Sequence, residues 1–213
     1  MTPMAATTNR LLRPEIRAFS PLPGHWPGGG AQSQPRLPLG IGPLDAALSG
    51  GLELAAVHEC AAASALHVGA ATIFVSGLAR LALNHYGRNR RVVWIQQDLA
   101  RLEGGAPYAP GCDAFGLNTS TLLIVRASRG TDALWAMEEC LRSSSVAAVI
   151  GEFTPEADID LTASRRLSLA AQMGGGIGLL LRHKPNPNPL AAATRWHVTS
   201  ASAAADRFGG LGP

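Results

Sequence analysis

Short apolar runs alternate with longer helical stretches along the middle of this chain, and this alternation restricts the fold more than any other feature. Runs of roughly four to eight aliphatic or β-branched residues predict buried strands, whereas longer stretches with apolar positions three and four apart predict helices. Strands that are separated by helices form βαβ units around a parallel sheet. We therefore expect an α/β fold with a mostly parallel, twisted sheet that is flanked by helices.

The pattern predicts six strands and three longer helices. The predicted strands are 55–60, 91–96, 121–125, 146–150, 177–181 and 195–199, and the predicted helices are 70–85, 132–142 and 160–173. The third strand is continuously apolar and is expected to be buried on both faces, whereas polar alternation places the last strand toward a sheet edge. The first helix is apolar nearly all round, which predicts burial on most sides. Asp160 is the expected N-cap of the third helix, and glycines 174–176 end it.

Length and composition predict one core domain with loose ends. The 213 residues, of which 46% are hydrophobic, suffice for one buried core but are few for two. Residues 1–36 form a Pro/Gly-rich arm and 202–213 an Ala/Gly tail, and such compositions predict flexibility because they bury too little apolar surface. The core domain is therefore predicted over residues 37–201.

Charge and cysteine usage narrow the function classes. The net charge is +3 and only 15% of the residues are charged, which is a weak basic bias and not a nucleic-acid footprint. Cys60, Cys112 and Cys140 lie far apart without histidines at metal-ligand spacing, so neither a disulfide framework nor a metal site is expected. We find no signal sequence and no apolar run near the roughly 20 residues of a membrane span. A soluble, cytoplasmic protein without membrane contact is expected.

Several local strings resemble known families. The string GIGPLDAAL at 40–48, with the glycine pair and leucine at 50–52 and VHE at 57–59, resembles the entry into a RecA-type ATPase core, just before its phosphate-binding loop. Four further strings are similar to the ImuA family, the RecA-like accessory proteins of bacterial translesion mutagenesis. They are YAPG at 108–111, ALWAMEE at 133–139, LTASRRL at 161–167 and AATRW at 192–196. The likeness runs from about residue 37 to 202 and implies a RecA-like three-layer core.

The resemblance to ImuA implies a role in DNA-damage-induced (SOS) mutagenesis. Proteins of this family work with ImuB, a catalytically defective Y-family polymerase homologue, and with an error-prone replicative-type polymerase. We therefore expect a non-catalytic scaffold that binds an ImuB-like protein, with RecA as a further partner. Two alternatives remain open, a SulA-like cell-division inhibitor and a DNA-stimulated ATPase with an atypical pocket. Because RecA-type cores often assemble end to end, a homo-oligomer also remains open.

The phosphate-binding loop that a RecA-type ATPase needs is degenerate here. The working pattern is G-x-x-x-x-G-K-[ST], in which backbone N–H groups and one lysine surround the phosphates. This chain reads AAASALHVGAAT over residues 61–72, and its single lysine is Lys184. The degenerate positions are Ala61, Ala62, His67, Val68, Gly69 and Thr72. Since both the glycine turn and the charge are missing, we expect no ATPase activity, no nucleotide cofactor and no metal.

Three other places carry groups that a nucleotide-processing site would use. Asp98 follows the second strand, where a carboxylate would activate water, although such an Asp more often caps a helix or faces solvent. Glu152 follows the fourth strand, one position beyond the expected place of a magnesium ligand. His58 and Glu59 are neighbours on one strand and must point to opposite faces. His58 is therefore expected to be a hydrogen-bonded core histidine.

Candidate partner-binding residues lie in the arm, on two helices and near the loop 184–189. They are Phe19, Trp26, Arg142, Arg165, Arg166, Arg182, Lys184, Arg195 and Trp196. Apolar anchors in a flexible arm can fold onto a partner, and the arginines would present a basic face. Direct DNA binding is not expected, because the loop 153–158 has acidic residues within and beside it and the loop 184–189 offers few cations.

Overall fold

The structure is a computed structural model that describes residues 35–87, 89–157 and 159–201. The predicted tail 202–213 and nearly all of the predicted arm, including Phe19 and Trp26, lie outside these residues. The described part forms one parallel sheet with helices on both faces, which confirms the predicted fold class.

Strands and helices alternate through most of the described chain, as the hydrophobic pattern predicts. The elements are β1 (Arg36–Leu37), α1 (Gly42–Ala47), β2 (Leu52–Glu53), β3 (Val57–Ala62), α2 (Val68–Tyr86), β4 (Arg91–Gln97), α3 (Asp98–Gly104), α4 (Ala109–Ala114), β5 (Leu122–Ala127), α5 (Gly130–Leu141), β6 (Val146–Phe153), α6 (Leu161–Gly174), β7 (Ile177–Arg182) and β8 (Thr194–Val198). Two 3₁₀ turns, Ala65–His67 and Thr119–Thr121, precede α2 and β5. Two short helices, α3 and α4, lie between β4 and β5.

The main sheet has six strands in the order β5-β4-β6-β7-β3-β8, and every neighbouring pair is parallel. Parallel strands need a crossover connection, and here helices α2, α5 and α6 provide three of them. All carboxyl ends of the strands therefore meet at one edge of the sheet. β1 and β2 form a separate antiparallel ribbon in which Arg36 faces Glu53.

Successive residues of the strands feed two hydrophobic cores on opposite faces. On β4, Val92 and Trp94 belong to the core under α2, whereas Val93 and Ile95 belong to the core under α5 and α6. A fully buried aliphatic or aromatic side chain contributes roughly 1.5–3 kcal/mol to folding. The central strands are apolar on both faces because helices cover both sides.

Helix α2 is amphipathic to a greater degree than its sequence suggests. Ala71, Val75, Ala79 and Ala82 are fully buried against the sheet, but Ile73 is exposed, so the prediction of burial on most sides is wrong for the outer face. Ala65–Tyr86 is also long and apolar enough to cross a membrane, contrary to the expectation that no segment approaches that length. One face of this helix packs against the sheet.

Two predictions about the edges of the sheet have opposite outcomes. β8 lies at one edge, as its polar alternation predicts. β5 lies at the other edge, and its side chains Leu123 and Ile124 are 54% and 49% exposed, so the prediction of burial on both faces is wrong. Within the described part of the chain, β5 pairs with β4 on one side and with no strand on the other. A continuous apolar run therefore predicts a strand, but it does not show whether that strand is central or at an edge of the sheet.

Individual residues determine where α6 begins and ends and where β3 begins. The Asp160 carboxylate accepts the Ala163 backbone N–H at 2.6 Å, and Gly175 ends α6 in the left-handed conformation, as predicted. β3 begins at Val57, two residues later than expected, because Ala55 has a positive φ of 53° that interrupts extended backbone.

The string GIGPLDAAL forms the turn around α1, which periodicity did not predict. The Asp45 carboxylate accepts the backbone N–H groups of Leu39 and Gly40, at 2.7 and 3.0 Å, and so closes this turn. Gly51 has φ of +131°, and a Cβ there would lie 2.2 Å from the Leu37 carbonyl oxygen. Only glycine fits at this position, where the chain returns as β2 beside β1.

Candidate functional site

A cavity of about 650 Å³ opens at the carboxyl ends of β4, β6 and β7, beside the N-terminus of α2. Open α/β sheets bind their ligands outside the carboxyl ends of the strands. The volume is within the usual range for small-molecule sites. Position and size therefore make this cavity the candidate functional site.

The degenerate loop forms one wall of the cavity. Ala61 and Ala62 are buried in β3, and Val68, Gly69 and Thr72 line the cavity from the first turns of α2. The strand–turn–helix geometry of a phosphate site is thus present, although its glycine turn and lysine are not.

His67 is turned away from a phosphate-binding role. Its Nδ1 lies 2.7 Å from the Ser200 hydroxyl and accepts the Ser200 backbone N–H at 3.1 Å. The residue before α2 therefore fastens the segment after β8 to the start of the helix. It does not supply a cation in the position of the missing lysine.

Glu152 lies at the centre of the opposite wall, near the end of β6. Its Oε2 accepts the Trp94 indole N–H at 3.0 Å and the Gln96 side-chain N–H at 2.9 Å. Its Oε1 lies 3.1 Å from His183 Nε2. Each of these four side chains is at least nine-tenths buried. A buried carboxylate needs such donors, because desolvation without hydrogen bonds would be prohibitive.

His183 links the buried carboxylate to a second one at the mouth. Its Nδ1 lies 3.4 Å from Glu103, which is half exposed. The hydrogen bond with Glu152 raises the pKa of His183 above its usual value, against the opposing effect of burial. The histidine therefore holds a proton more readily than a free imidazole, between two carboxylates.

The sequence predicted only part of this site. Within this hydrogen-bonded cluster, the sequence indicates only Glu152, as a carboxylate one position beyond the expected place of a magnesium ligand, and it indicates no role for Trp94, Gln96, Glu103 or His183. Asp98 begins α3 and is not among the described cavity-lining residues. The sequence does contain one indication of this cluster, because polar residues lie at or just after the ends of three apolar strands, at 96, 152 and 183. The carboxyl ends of parallel strands meet at one edge of the sheet, so these side chains can come together.

A second buried carboxylate, Glu59, lies on the face of the sheet toward α5 and α6. Its Oε2 lies 2.5 Å from Arg195 Nε on β8, and its Oε1 lies 3.8 Å from Arg182 Nε on β7. Arg195 also donates to the carbonyl oxygens of Asn186 and Asn188. This cluster fixes the loop between β7 and β8 to the sheet.

His58 is a hydrogen-bonded core histidine, as predicted. It is fully buried, and its ring nitrogens lie 2.8 Å from the Thr194 hydroxyl and 2.8 Å from the Glu53 carbonyl oxygen. Burial lowers its pKa to about 4. His58 is therefore neutral at ordinary pH and joins β3 to β8 and to the β2 segment.

The predicted partner-binding residues lie in different environments. Arg182 is buried beside Glu59, so it is not available as a surface residue. Arg142 and Arg166 both pair with Glu138 on α5. Arg165 is exposed, as is Lys184 at the mouth of the cavity.

The last two of these residues, Arg195 and Trp196, serve the packing of β8. Arg195 is engaged by Glu59 and by the loop before β8. The Trp196 ring packs against Phe74 on α2 with 5.2 Å between ring centroids, and its indole N–H donates to Thr194. Both residues therefore have internal partners, and a contact with another protein would use only their exposed parts.

The chain is a parallel α/β protein. Its cavity is lined by carboxylates at the place where an ATPase of this architecture would have its phosphate-binding loop. No protein-family model matches the chain. The chain is similar to Protein ImuA of two Caulobacter vibrioides strains, with 36% identity over 140 residues, which is 64% of this chain and 52% of the relative. The resemblance to ImuA is thereby confirmed.

Similarity to a second protein is also present. The chain is 35% identical to the Cell division inhibitor SulA of Edwardsiella piscicida over 97 residues, which is 45% of this chain and 54% of the relative. Among solved structures, the crystal structure of SulA from Pseudomonas aeruginosa aligns with a TM-score of 0.44 and 23% identity, covering 59% of this chain and 96% of that chain. The chain spans about half the length of the curated relatives it matches.

Proposed function

We propose that this chain is a non-catalytic accessory protein of the DNA-damage (SOS) response, which acts in translesion synthesis by binding an ImuB-like Y-family polymerase homologue in the cytoplasm. Its similarity to ImuA supports the biological context. The proposal that the chain is not an ATPase depends on one observation, the acid-lined cavity at the start of α2. RecA and an error-prone replicative polymerase are further proposed partners.

The charges around the cavity oppose a triphosphate. Three carboxylates line it, those of Glu103, Glu152 and Glu156, whereas among the described lining residues Lys184 alone carries a permanent positive charge. At an effective dielectric constant near 20, like charges about 6 Å apart repel by roughly 3 kcal/mol. A helix N-terminus stabilises a nearby anion by only about 0.3–1 kcal/mol. We therefore expect no phosphate release when the purified chain is incubated with ATP, Mg²⁺ and single-stranded DNA.

The groove between α5 and α6 is the proposed surface for the ImuB-like partner. Two of the strings that are similar to ImuA, 133–139 and 161–167, lie on these helices and line the groove together. Trp135 is 63% exposed at its edge, and Arg166 lies beside it. Exposed Trp and Arg side chains are the residue types that most often dominate binding at protein interfaces.

A pull-down against an ImuB-like protein, with and without ATP, tests the scaffold. Trp135→Ala should weaken capture about tenfold or more, because truncation of an interface hot spot typically costs about 2 kcal/mol. Leu66→Ala is the matched control, since Leu66 is 91% exposed and does not line the groove. Full capture by the Trp135 variant would exclude the groove. No capture by the unmodified chain would exclude the proposed partner.

The arm requires its own variant. Phe19 and Trp26 lie outside the described residues, and a double Phe19→Ala, Trp26→Ala variant of the full chain tests whether they anchor the partner. Weaker capture by this variant, with normal capture by the Leu66 control, would assign part of the interface to the arm.

A second candidate function is inhibition of cell division, which the similarity to SulA favours. The two functions differ in their cellular readout. Overexpression of a division inhibitor produces filamentous cells, whereas a translesion accessory protein alters the frequency of damage-induced mutations. Filamentation without an effect on mutation frequency would favour the inhibitor.

A further inference from the structure

The edge of the sheet that β5 forms exposes aliphatic side chains on both faces. Leu122 packs against the core under α2, and Val125 packs against the core under α5 and α6. Because successive side chains of a strand alternate, Ile124 lies on the face of Leu122, and Leu123 lies on the face of Val125. Leu123 and Ile124 are 54% and 49% exposed. Neither layer of helices therefore covers these two side chains completely.

The opposite edge of the sheet is protected in a way that β5 is not. On β8, Arg195 carries a charge, and Trp196 packs against Phe74 on α2. Edge strands commonly carry charged side chains, because their unpaired N–H and C=O groups pair readily with another strand. The run 121–125 has no charged residue, and Arg126 lies beyond it. In the part of the chain that the structure describes, no strand pairs with the outer side of β5, so its backbone groups there can accept a further strand.

A second copy of β5 fits this edge when the two strands run antiparallel about a two-fold axis. An axis perpendicular to the sheet maps each face of the sheet onto itself, so odd-numbered residues lie opposite odd-numbered ones and even-numbered residues opposite even-numbered ones. The contact must therefore be centred on a residue, and not between two residues. Centring it on Leu123 or on Ile124 places the aliphatic run in the middle of the contact.

The position of the one charge on β5, Arg126, favours the register that is centred on Leu123. In this register Leu123 lies opposite its own copy, and Leu122 lies opposite Ile124. The flanking pair is a threonine opposite a valine, so all of these pairs join residue types that sheets favour. Arg126 then lies opposite Ser120. In the register centred on Ile124, Arg126 would lie opposite Leu122 and would bring its charge onto the apolar contact.

We propose that the chain forms a two-fold symmetric dimer by antiparallel pairing of β5, centred on Leu123, so that two sheets join into one. The dimer covers the exposed parts of Leu123 and Ile124 and supplies partners for backbone groups that no described strand reaches. The run 121–125 is short beside the roughly 20–30 residues a side of a standard interface, so we expect a micromolar dissociation constant. No residue of β5 lines the groove between α5 and α6, so the dimer does not depend on the proposed partner binding.

Sedimentation velocity of the full chain over roughly 1–500 µM, a range around a micromolar dissociation constant, tests the dimer. We expect a shift from monomer to dimer as the concentration rises. Leu123→Lys and Leu123→Glu should each raise the dissociation constant about tenfold, because like charges then lie opposite each other at the two-fold axis. An equimolar mixture of the two variants should regain the association, since lysine then faces glutamate. Leu123 is half exposed, so both variants should fold.

A control variant and two cysteine variants locate the contact. Leu66→Lys is the matched control, because Leu66 is 91% exposed and follows β3, near the opposite edge of the sheet. It should associate like the wild type. Leu123→Cys places two Cβ atoms about 4.5–5.5 Å apart across the axis, whereas Ile124→Cys places them about 7–8 Å apart. Mild oxidation should therefore cross-link the Leu123 variant several-fold faster, and the native cysteines are the same in both variants.

Several results would overturn the proposal. They are a monomer at every concentration, equal weakening by Leu66→Lys and Leu123→Lys, no recovery in the mixture of charge variants, and cross-linking of Ile124→Cys as fast as that of Leu123→Cys. Species that grow beyond the dimer would indicate a head-to-tail contact instead. If the chain alone is monomeric and Leu123→Lys weakens capture of an ImuB-like protein more than Leu66→Lys does, the edge receives a strand of the partner and not a second copy.

Discussion

Two buried carboxylates, Glu59 on β3 and Glu152 on β6, lie on opposite faces of the same sheet and are stabilised in different ways. Glu59 lies between two arginines, which are always charged. Glu152 is held by two neutral N–H donors, from Trp94 and Gln96, and by a histidine that can titrate. The first arrangement neutralises its charge permanently, and the second does not.

The two carboxylates therefore differ in the charge that their surroundings leave uncompensated. The cluster around Glu59 has its charges paired and fastens the loop before β8, so little electrostatic potential remains for a ligand. The cluster around Glu152 lies at an open cavity and includes a histidine whose charge depends on pH. Glu59 is thus tied to two permanent charges and Glu152 to a titratable one, so the two should respond differently to substitution and to pH.

The largest effect is expected from Glu59→Gln. The substitution removes a buried counter-charge that lies beside both Arg182 and Arg195, and removing one partner of a buried ion pair typically costs about 3–5 kcal/mol. Since Arg195 is partly exposed, we expect the free energy of unfolding in urea to fall by about 3 kcal/mol.

Glu139→Gln is the control for this measurement. Its carboxylate is half exposed and 3.9 Å from Arg142, so its loss should change stability by less than about 1 kcal/mol. A Glu59 variant as stable as the control would show that the arginine cluster does not stabilise the fold.

The next effect is a pH dependence that distinguishes the two histidines. His58 has a pKa lowered to about 4, so the unfolded chain takes up a proton below pH 6.5 while the folded chain does not. Its contribution is fully present above pH 6.5 and is lost as the pH falls toward 4. From pH 7.5 to 5 this loss amounts to about 2 kcal/mol.

His183 has the opposite sign, because its pKa is raised. Its contribution is fully present below pH 6.5 and is lost as the pH rises through its folded pKa. Urea unfolding of the wild type, His58→Gln and His183→Gln at pH 5 and 7.5 separates the two. A wild-type pH dependence that survives unchanged in His58→Gln would contradict the assignment.

The sequence predicted the fold better than the site, for a physical reason. Hydrophobic periodicity depends on burial, so it predicts the central strands with small errors at their ends, and the capping residues Asp160 and Gly175 mark the ends of α6. It did not show that β5 is an edge strand, because the same apolar run TLLIV is compatible with either place. Gln96 and His183 are far apart in the chain, and only the parallel alignment of β4 and β7 with β6 brings them to Glu152.

A smaller loss of stability is expected from Glu152→Gln than from Glu59→Gln. The new amide oxygen still accepts from Trp94 or Gln96, and a neutral His183 can accept the amide N–H. We expect a loss of about 1–2 kcal/mol, the range for one imperfectly satisfied buried polar group. The pKa of His183, followed by NMR, should fall toward its usual value since its main cause is removed. An unchanged His183 titration would contradict the proposed hydrogen bond.

The smallest effect is expected from Glu103→Gln, which removes only the half-exposed carboxylate at the mouth of the cavity. A solvent-screened pair contributes at most about 1 kcal/mol, so urea unfolding should barely change. The pKa of His183 should still fall, because Glu103 also raises it. The fall should be smaller than in Glu152→Gln, because Glu103 is the weaker of the two partners. If Glu103→Gln lowered the His183 pKa more than Glu152→Gln, the mouth of the cavity and not its floor would control the charge of the site.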